Sequence, residues 1–184
     1  MGVAQISFWV FVAVLVFWAV GAYNRLVRLR AAIKQAFTAT ESQIRQRDAL
    51  LAQWAEASSA QAHGESHAAD AVVAACGQVM AASEHARTWP SGARAIASLR
   101  LAEEVLGDAR ARLNAELAAM AATSLTPPVI APNPQAEALA AVDASLGFAR
   151  RQYNDAAQTY NDAVAQFPTW VIAGVFGFRA AGAL

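Results

Sequence analysis

The pattern of apolar and polar positions divides the chain into an apolar N-terminal run and a long region of helical periodicity. Residues 1–24 carry no charged side chain, and Val3 to Ala22 form an almost entirely apolar run. A helix of that length spans about 30 Å, which matches the hydrocarbon core of a bilayer. The pattern predicts a single transmembrane anchor over residues 1–24. A buried helix of a soluble protein is the alternative interpretation.

The residues that flank the run predict its orientation. Four basic residues follow it closely: Arg25, Arg28, Arg30 and Lys34. Because basic residues favour the cytoplasmic side, we expect the N-terminus outside and residues 25–184 in the cytoplasm. A reversed orientation, or a signal peptide cleaved after Ala22, is the alternative. No basic segment precedes the run, and it is longer than the apolar part of a usual signal peptide.

Beyond the anchor, apolar residues recur at steps of three and four, and the composition is rich in alanine, leucine, glutamine and arginine. These residues favour helices, and the alternation typical of strands is absent. The sequence therefore predicts an all-α fold, in which the anchor helix continues into an elongated antiparallel bundle or coiled coil over residues 25–168. The predicted helices run from the anchor to about 63, then over 66–88, 93–123 and 134–167.

Proline and glycine predict the breaks between these helices. Pro90 ends the second helix, and four prolines over 127–134 predict a loop at 124–134. After Pro168 comes an apolar tail, 169–184, whose ten-residue apolar core is too short to span a bilayer. We expect this tail to pack on the bundle or to lie against the membrane. If the first and last helices pair antiparallel, the tail returns to the level of Tyr23.

A short phrase occurs twice in the last predicted helix, at Tyr153-Asn154 and at Tyr160-Asn161. The offset of seven places both pairs on nearly the same helical face. We expect an aromatic stripe of Tyr153, Tyr160 and Phe167, with the two asparagines beside it. The structural interpretation is that the tyrosines pack in the bundle while the asparagines hydrogen-bond a neighbouring helix and set its register. The alternative is a recognition surface for another protein or a second copy.

Polar residues interrupt the apolar helical series at a few positions. Thr40 and Arg47 occupy apolar places in the first helix, as Glu103 and Arg110 do in the third. Glu103 and Arg110 could form a polar layer or extend to solvent along its edge. The single cysteine, Cys76, is expected to be a small buried residue with no disulfide partner.

The composition offers little support for chemistry at a site. The chain has 14 basic and 14 acidic residues, so it has no basic excess that would favour nucleic-acid binding. His63 and His67 are four apart and could share a metal, but Gly64 between them favours a solvated turn. Glu103 and Glu104 diverge on a helix and have no nucleophile beside them. We expect no catalytic residue, no metal site and no cofactor.

Several motifs together resemble the LemA family of bacterial membrane-anchored helical proteins. The N-terminal match begins at Tyr23-Asn24 and runs to Arg30. The C-terminal match comprises Ala149-Arg150 through Tyr153-Asn154, then Tyr160-Asn161, Phe167-Pro168 and Gly177-Phe178. The resemblance implies an antiparallel helical bundle on one anchor and no catalytic residues. The chain departs from the family pattern at 50–54, where the family has a proline, and at its ending, 180–184.

These observations favour a non-enzymatic scaffold or adaptor that associates with itself in the bacterial inner (cytoplasmic) membrane. The expected partners are the lipid bilayer and further copies of the chain, with no nucleic acid. The company that the resembled family keeps suggests an alternative, an accessory or regulatory subunit of a membrane protease or of an envelope-stress system. Its partner would then be a membrane protease or another envelope protein. A membrane-remodelling oligomer is a further alternative, which rests on the apolar stretch 169–178.

Overall fold

A computed structural model of the chain describes residues 2–61, 66–123 and 134–184. Within these ranges the fold is all-α and contains no strand, as predicted. The helices are α1 (Val3–Gln61), α2 (His67–Thr88), α3 (Ala93–Thr123), α4 (Pro134–Ala165) and α5 (Thr169–Phe176). The predicted loop at 124–134, apart from Pro134, lies outside the described residues, as do His63 and Gly64.

The helix ends follow from local sequence. Ser66 caps α2, since its hydroxyl accepts a hydrogen bond from the amide of Ala69 at 3.2 Å. Pro90 follows the C-cap of α2 and prevents the helix from continuing. Gly177 ends α5 in the left-handed conformation, with φ of 71°, which a residue without Cβ adopts at little cost.

Helix α1 has two parts with different surroundings. It is 59 residues long, or about 88 Å, and no proline interrupts it. Its first part, up to Gly21, lies beyond the bundle, and nearly all of its described side chains are exposed. From Ala22 onward one face is buried at steps of three and four, beginning with Leu26, Ile33 and Phe37. The amphipathic pattern therefore coincides with the part of α1 that has helices packed against it.

The helices form an elongated antiparallel bundle. Helix α1 packs against α4 and α2, and α2 packs against α3. Phe37 of α1 contacts Tyr153 of α4, whereas Trp54, further along α1, lies beside Leu139 at the start of α4, so these two helices run in opposite directions. Helices α2 and α3 are also antiparallel, because a tight turn joins them at Trp89–Gly92 and Ser66 donates a hydrogen bond to Glu116 at their other ends.

Candidate functional site

The two tyrosines of α4 are buried where α4 faces α1. Tyr153 and Tyr160 are almost fully buried, and the Tyr153 ring lies edge-on to Phe37 with 6.0 Å between ring centroids. Burial raises the pKa of both hydroxyl groups, so both tyrosines stay protonated at neutral pH. The Tyr153 hydroxyl lies 2.7 Å from the carbonyl oxygen of Pro90 and 3.0 Å from that of Gly182, and can donate its proton to either one.

The asparagines beside this stripe bind the C-terminal segment of the chain, residues 179–184, rather than a neighbouring helix. The side-chain amide of Asn161 donates to the main-chain oxygen of Ala181 at 3.0 Å, and the Ala181 amide donates back at 2.7 Å. Asn154 makes the same pair with Leu184, at 2.9 Å and 2.8 Å. The expectation that these asparagines set the register of a neighbouring helix is therefore wrong: a non-helical segment has free main-chain groups, whereas the interior of a helix has none to offer.

Phe167 does not belong to the buried stripe. Its side chain is 77% exposed, whereas Tyr153 and Tyr160 are buried. Helix α4 ends at Ala165, and Pro168 cannot continue it, so the spacing of seven no longer places Phe167 on the buried face. The expected third member of the stripe is thus a surface residue. Pro168 is half-buried and immediately precedes α5.

An aromatic cluster joins α1 to the end of α5. The Tyr23 ring lies 4.9 Å from the Phe176 ring and 5.8 Å from the Phe178 ring, measured between centroids. Gly177 provides the turn that brings both phenylalanines to Tyr23. The tail therefore returns to the level at which the apolar part of α1 ends, as the antiparallel pairing predicts. Asn24, the next residue, is exposed.

A charged cluster joins three helices further along the bundle. The Arg47 guanidinium of α1 donates two hydrogen bonds to the Glu103 carboxylate of α3, at 2.6 Å and 3.0 Å. Arg150 of α4 lies 2.8 Å from the same carboxylate. Two turns away from these residues, Arg110 of α3 pairs with Asp143 of α4 at 2.8 Å. Glu103 and Arg110 therefore lie in a polar layer with Arg47, one of the two arrangements that the sequence allowed for them.

Arg47 and Asp48 are the most deeply buried charges of this cluster. Burial alone would lower the pKa of Arg47, but the hydrogen bonds and charges of Glu103 and Asp48 raise it above its usual value. Burial raises the pKa of Asp48, although Arg47 acts in the opposite direction. One carboxylate oxygen of Asp48 accepts hydrogen bonds from Arg47, and the other has no hydrogen-bond partner among the described residues.

The groove between α3 and α4 brings these features together. The end of the bundle that lies next to the apolar part of α1 is called the anchor end, after the predicted anchor. At this end residues 179–184 fill the groove, and Gly182 packs against Ala93 and Ile96 of α3. Beyond Leu184 the groove continues past Glu103 and Arg150 to Arg110 and Asp143. Asn154, Asn161 and Arg150, which lies one turn before Asn154 on α4, therefore line the same groove.

The family model of the LemA family matches residues 36–184, more than three-quarters of the sequence. The chain belongs to the LemA family. No curated protein and no solved structure matches it significantly. The matched region contains the buried tyrosines, both asparagines, the charged cluster and the C-terminal segment, so the groove lies wholly within the LemA part of the chain. The predicted anchor precedes this region.

The N-terminal part of this LemA chain has the length and composition of a membrane-spanning helix. The candidate stretch lies in α1, near the N-terminus, and its most apolar window is not buried in the bundle at all. A soluble protein's core helix would be mostly buried. The exposure of this stretch therefore distinguishes it from the core helix of a soluble protein. It does not distinguish it from a signal sequence, which would meet the same criteria of length and composition.

The sequence of this LemA chain did not predict that residues 180–184 bind α4. Residues 180–184 are small and apolar, and they carry no motif. One signal was present: two asparagines seven residues apart on a helix, each beside a buried tyrosine. The side chains of Cys76 and His67 take no part in the groove. Cys76 is a buried free thiol whose pKa burial raises to about 11.

Proposed function

We propose that this LemA-family protein is a non-enzymatic scaffold or adaptor, anchored in the bacterial inner membrane by α1 and able to associate with itself. In the proposed topology the N-terminus lies outside and the bundle lies in the cytoplasm. The buried polar groups of Arg47 and Tyr153 are engaged in contacts that hold the bundle together: Arg47 binds Glu103 of α3, and the Tyr153 hydroxyl lies against the Pro90 turn and the C-terminal segment. This arrangement fits a protein that presents surfaces better than one that converts a substrate.

One observation carries the anchoring part of the proposal. Among the described residues, no helix packs against most of the apolar part of α1, and large side chains such as Phe8, Trp9, Phe11 and Phe17 are more than half exposed. An apolar surface of this extent is stable in lipid and would promote aggregation in water. The basic residues at 25–34 follow where this surface ends, which supports the proposed orientation.

The exposed face of α5 supports a second contact with the bilayer. Trp170, Val175 and Phe176 are 55%, 73% and 59% exposed, and Phe176 touches Tyr23 at the end of the apolar part of α1. No charged residue occurs between Asp162 and Arg179. An apolar helix with an exposed tryptophan, next to a membrane span, fits the interfacial region of a bilayer.

The contact of α5 with lipid can be tested with a matched pair of dye positions. Cys76→Ala removes the native thiol, and Val175→Cys or Val73→Cys then supplies one exposed site on α5 or on α2. In proteoliposomes with brominated lipids, we expect a dye at position 175 to be quenched and a dye at position 73 to remain unquenched. Equal quenching at the two positions would reject the contact.

A reporter fusion tests the orientation. An enzyme that is active only in the periplasm, fused after Ala60, should be inactive, while a reporter active only in the cytoplasm should work at the same site. Activity of the periplasmic reporter would overturn the proposed topology. Fractionation of the intact protein with the membranes, resistant to carbonate extraction, is the expected control result.

Affinity purification from gently solubilised membranes tests the scaffold function. Recovery of two differently tagged copies together, without another protein in fixed proportion, is the expected result. A membrane protease recovered in a fixed ratio to the chain would instead favour the role of an accessory subunit.

A further inference from the structure

The two asparagines of α4 bind main-chain atoms of residues 179–184 and not their side chains. Asn154 and Asn161 each use both ends of the amide group, so each pairs with the amide and the oxygen of one residue. A paired amide of this kind mimics the hydrogen bonding of an adjacent β-strand. It therefore accepts any segment that presents an extended backbone at the correct spacing.

The two spacings match each other. Seven residues separate Asn154 from Asn161 on α4, which corresponds to about 10.5 Å along a helix. Leu184 is three positions after Ala181, which corresponds to about 9 Å in a polyproline-type chain, where three residues complete one turn and bring both residues to the same side. The bound segment runs antiparallel to α4, since Asn161 pairs with Ala181 and Asn154 with Leu184. This agreement lets both asparagines engage one extended segment at the same time.

The opposite wall of the groove selects for a small residue. A Cβ at position 182 would lie 3.0 Å from the Cα of Ala93 and 3.1 Å from the Cβ of Ile96, closer than packed atoms allow without a shift. The Tyr153 hydroxyl lies 3.0 Å from the oxygen of the same residue, Gly182. A larger residue at this position would require Ala93 and Ile96 to shift by a few tenths of an ångström, so the groove favours glycine directly after the residue that pairs with Asn161.

None of these contacts depends on the bound segment belonging to the same chain. We propose that the α3–α4 groove is a peptide-binding site, and that the groove of one copy can bind residues 179–184 of a second copy. Exchange of the segment makes each copy donate a strand to the groove of another. This inference rests on the proposed self-association and gives it a specific contact.

The position of the groove favours this exchange in a membrane. The bound segment begins two residues after Gly177, at the end of the apolar part of α1, so anchored copies would carry their grooves at the same height. Within one molecule the segment is held at a high effective concentration, which favours the internal position. Confinement of many copies to one membrane plane raises the competing concentration of neighbouring segments.

Two complementary variants test the exchange in full-length protein. Asn154→Leu with Asn161→Leu gives a donor that keeps its segment and loses its groove contacts. Gly182→Val gives an acceptor that keeps its groove and carries a segment that no longer fits. We expect differently tagged donor and acceptor, expressed together, to co-purify at least about tenfold better than donor with donor or acceptor with acceptor, since only the mixed pair offers both partners.

The other outcomes separate this inference from the proposed self-association. Equal and strong recovery of all three pairs would mean that the copies associate through another surface, and the exchange would be wrong. Absence of every pair, including two wild-type copies, would reject both proposals. Circular dichroism of each purified variant checks that its helices are intact.

A peptide experiment provides a readout that needs no pairing of variants. A fluorescent peptide with the sequence of residues 178–184 is added to the purified full-length Gly182→Val protein, and its anisotropy is measured. We expect binding by this peptide, and binding at least about tenfold weaker by the same peptide with valine at the glycine position. Equal affinity of the two peptides, or no binding by either, would overturn the inference.

Discussion

The groove between α3 and α4 is closed in two different ways along its length. At the anchor end, asparagine amides hold the C-terminal segment by its main-chain groups. Further along, Arg47, Arg150 and Glu103 join the helices through charges that are largely removed from solvent. Loss of these hydrogen bonds releases one segment. A buried charge that loses its partner instead destabilises the whole bundle.

The largest effect is expected at the charged end. Glu103→Ala removes the carboxylate shared by Arg47 and Arg150 and leaves Arg47, whose side chain is 4% exposed, with Asp48 alone. We expect the free energy of unfolding to fall by about 3–5 kcal/mol, as for a buried ion pair that loses one partner. Denaturant unfolding of the detergent-solubilised protein measures this change.

The neighbouring residue provides the control for this variant. Glu104 is exposed and lies 3.8 Å from Arg100, so Glu104→Ala should change the free energy of unfolding by no more than about 0.5 kcal/mol. Similar losses in the two variants would show that the buried cluster contributes no more than a surface charge.

A smaller effect is expected at the anchor end. Asn154→Leu with Asn161→Leu removes four hydrogen bonds to the C-terminal segment, and we expect a loss of about 1–3 kcal/mol. Hydrogen exchange should show the Ala181 and Leu184 amides losing protection while amides of α2 and α3 keep theirs. Gln158→Leu, on the exposed face of α4, is the control. If the Ala181 and Leu184 amides stayed protected in this variant, the two asparagines would not be what holds the segment in place.

A still smaller effect concerns the pH dependence of the charged end. The pKa of Asp48 is raised in the folded state, so the folded protein binds a proton more readily than the unfolded chain. This carboxyl group therefore stabilises the fold below its unfolded pKa of 3.8, and the contribution is lost as the pH rises through the raised folded pKa.

Asp48→Asn isolates that contribution. The stability of the wild-type protein relative to Asp48→Asn should increase, by about 1 kcal/mol or less, as the pH falls from 7 to 4. Thermal unfolding of both proteins across this range measures the difference. A wild-type protein that loses stability relative to the variant on acidification would have the opposite sign and would contradict the assigned direction.

The smallest change is expected in the reaction rate of the Cys76 thiol when the C-terminal segment is released from the groove. The raised pKa of about 11 and the burial of Cys76 both slow its reaction with iodoacetamide at pH 8. We expect Asn154→Leu with Asn161→Leu to change this rate by less than about twofold, because the two sites share no contact. Glu103→Ala should accelerate the reaction more. Equal acceleration in both variants would show that the two ends of the groove open as one unit.

The helices could be predicted from the sequence because their signals are local. The predicted second and third helices, 66–88 and 93–123, agree closely with His67–Thr88 and Ala93–Thr123, since serine capping and Pro90 act within a few residues. The buried places of Thr40 and Arg47 also followed from the period of the apolar series. The LemA resemblance, stated from motifs at both ends, is confirmed by the family match over 36–184.

The partners of the polar residues could not be predicted in the same way. Arg47 and Glu103 are 56 residues apart in sequence, and Asn154 and Leu184 are 30 apart, so their contacts depend on how whole helices are placed. Phe167 shows the same limit on a short scale. Its place in the stripe assumed two further residues of helix, and α4 ends before them.

The sequence by itself determined the helical class, most helix ends, the exposed apolar run and the buried face of each helix. These properties depend on residue type and on spacings within about two turns. The tertiary structure alone decided that the asparagines hold an extended segment, that Glu103 serves two arginines and that Gly182 is packed against α3. A polar side chain can satisfy its hydrogen bonds with many partners, and only the folded arrangement selects among them.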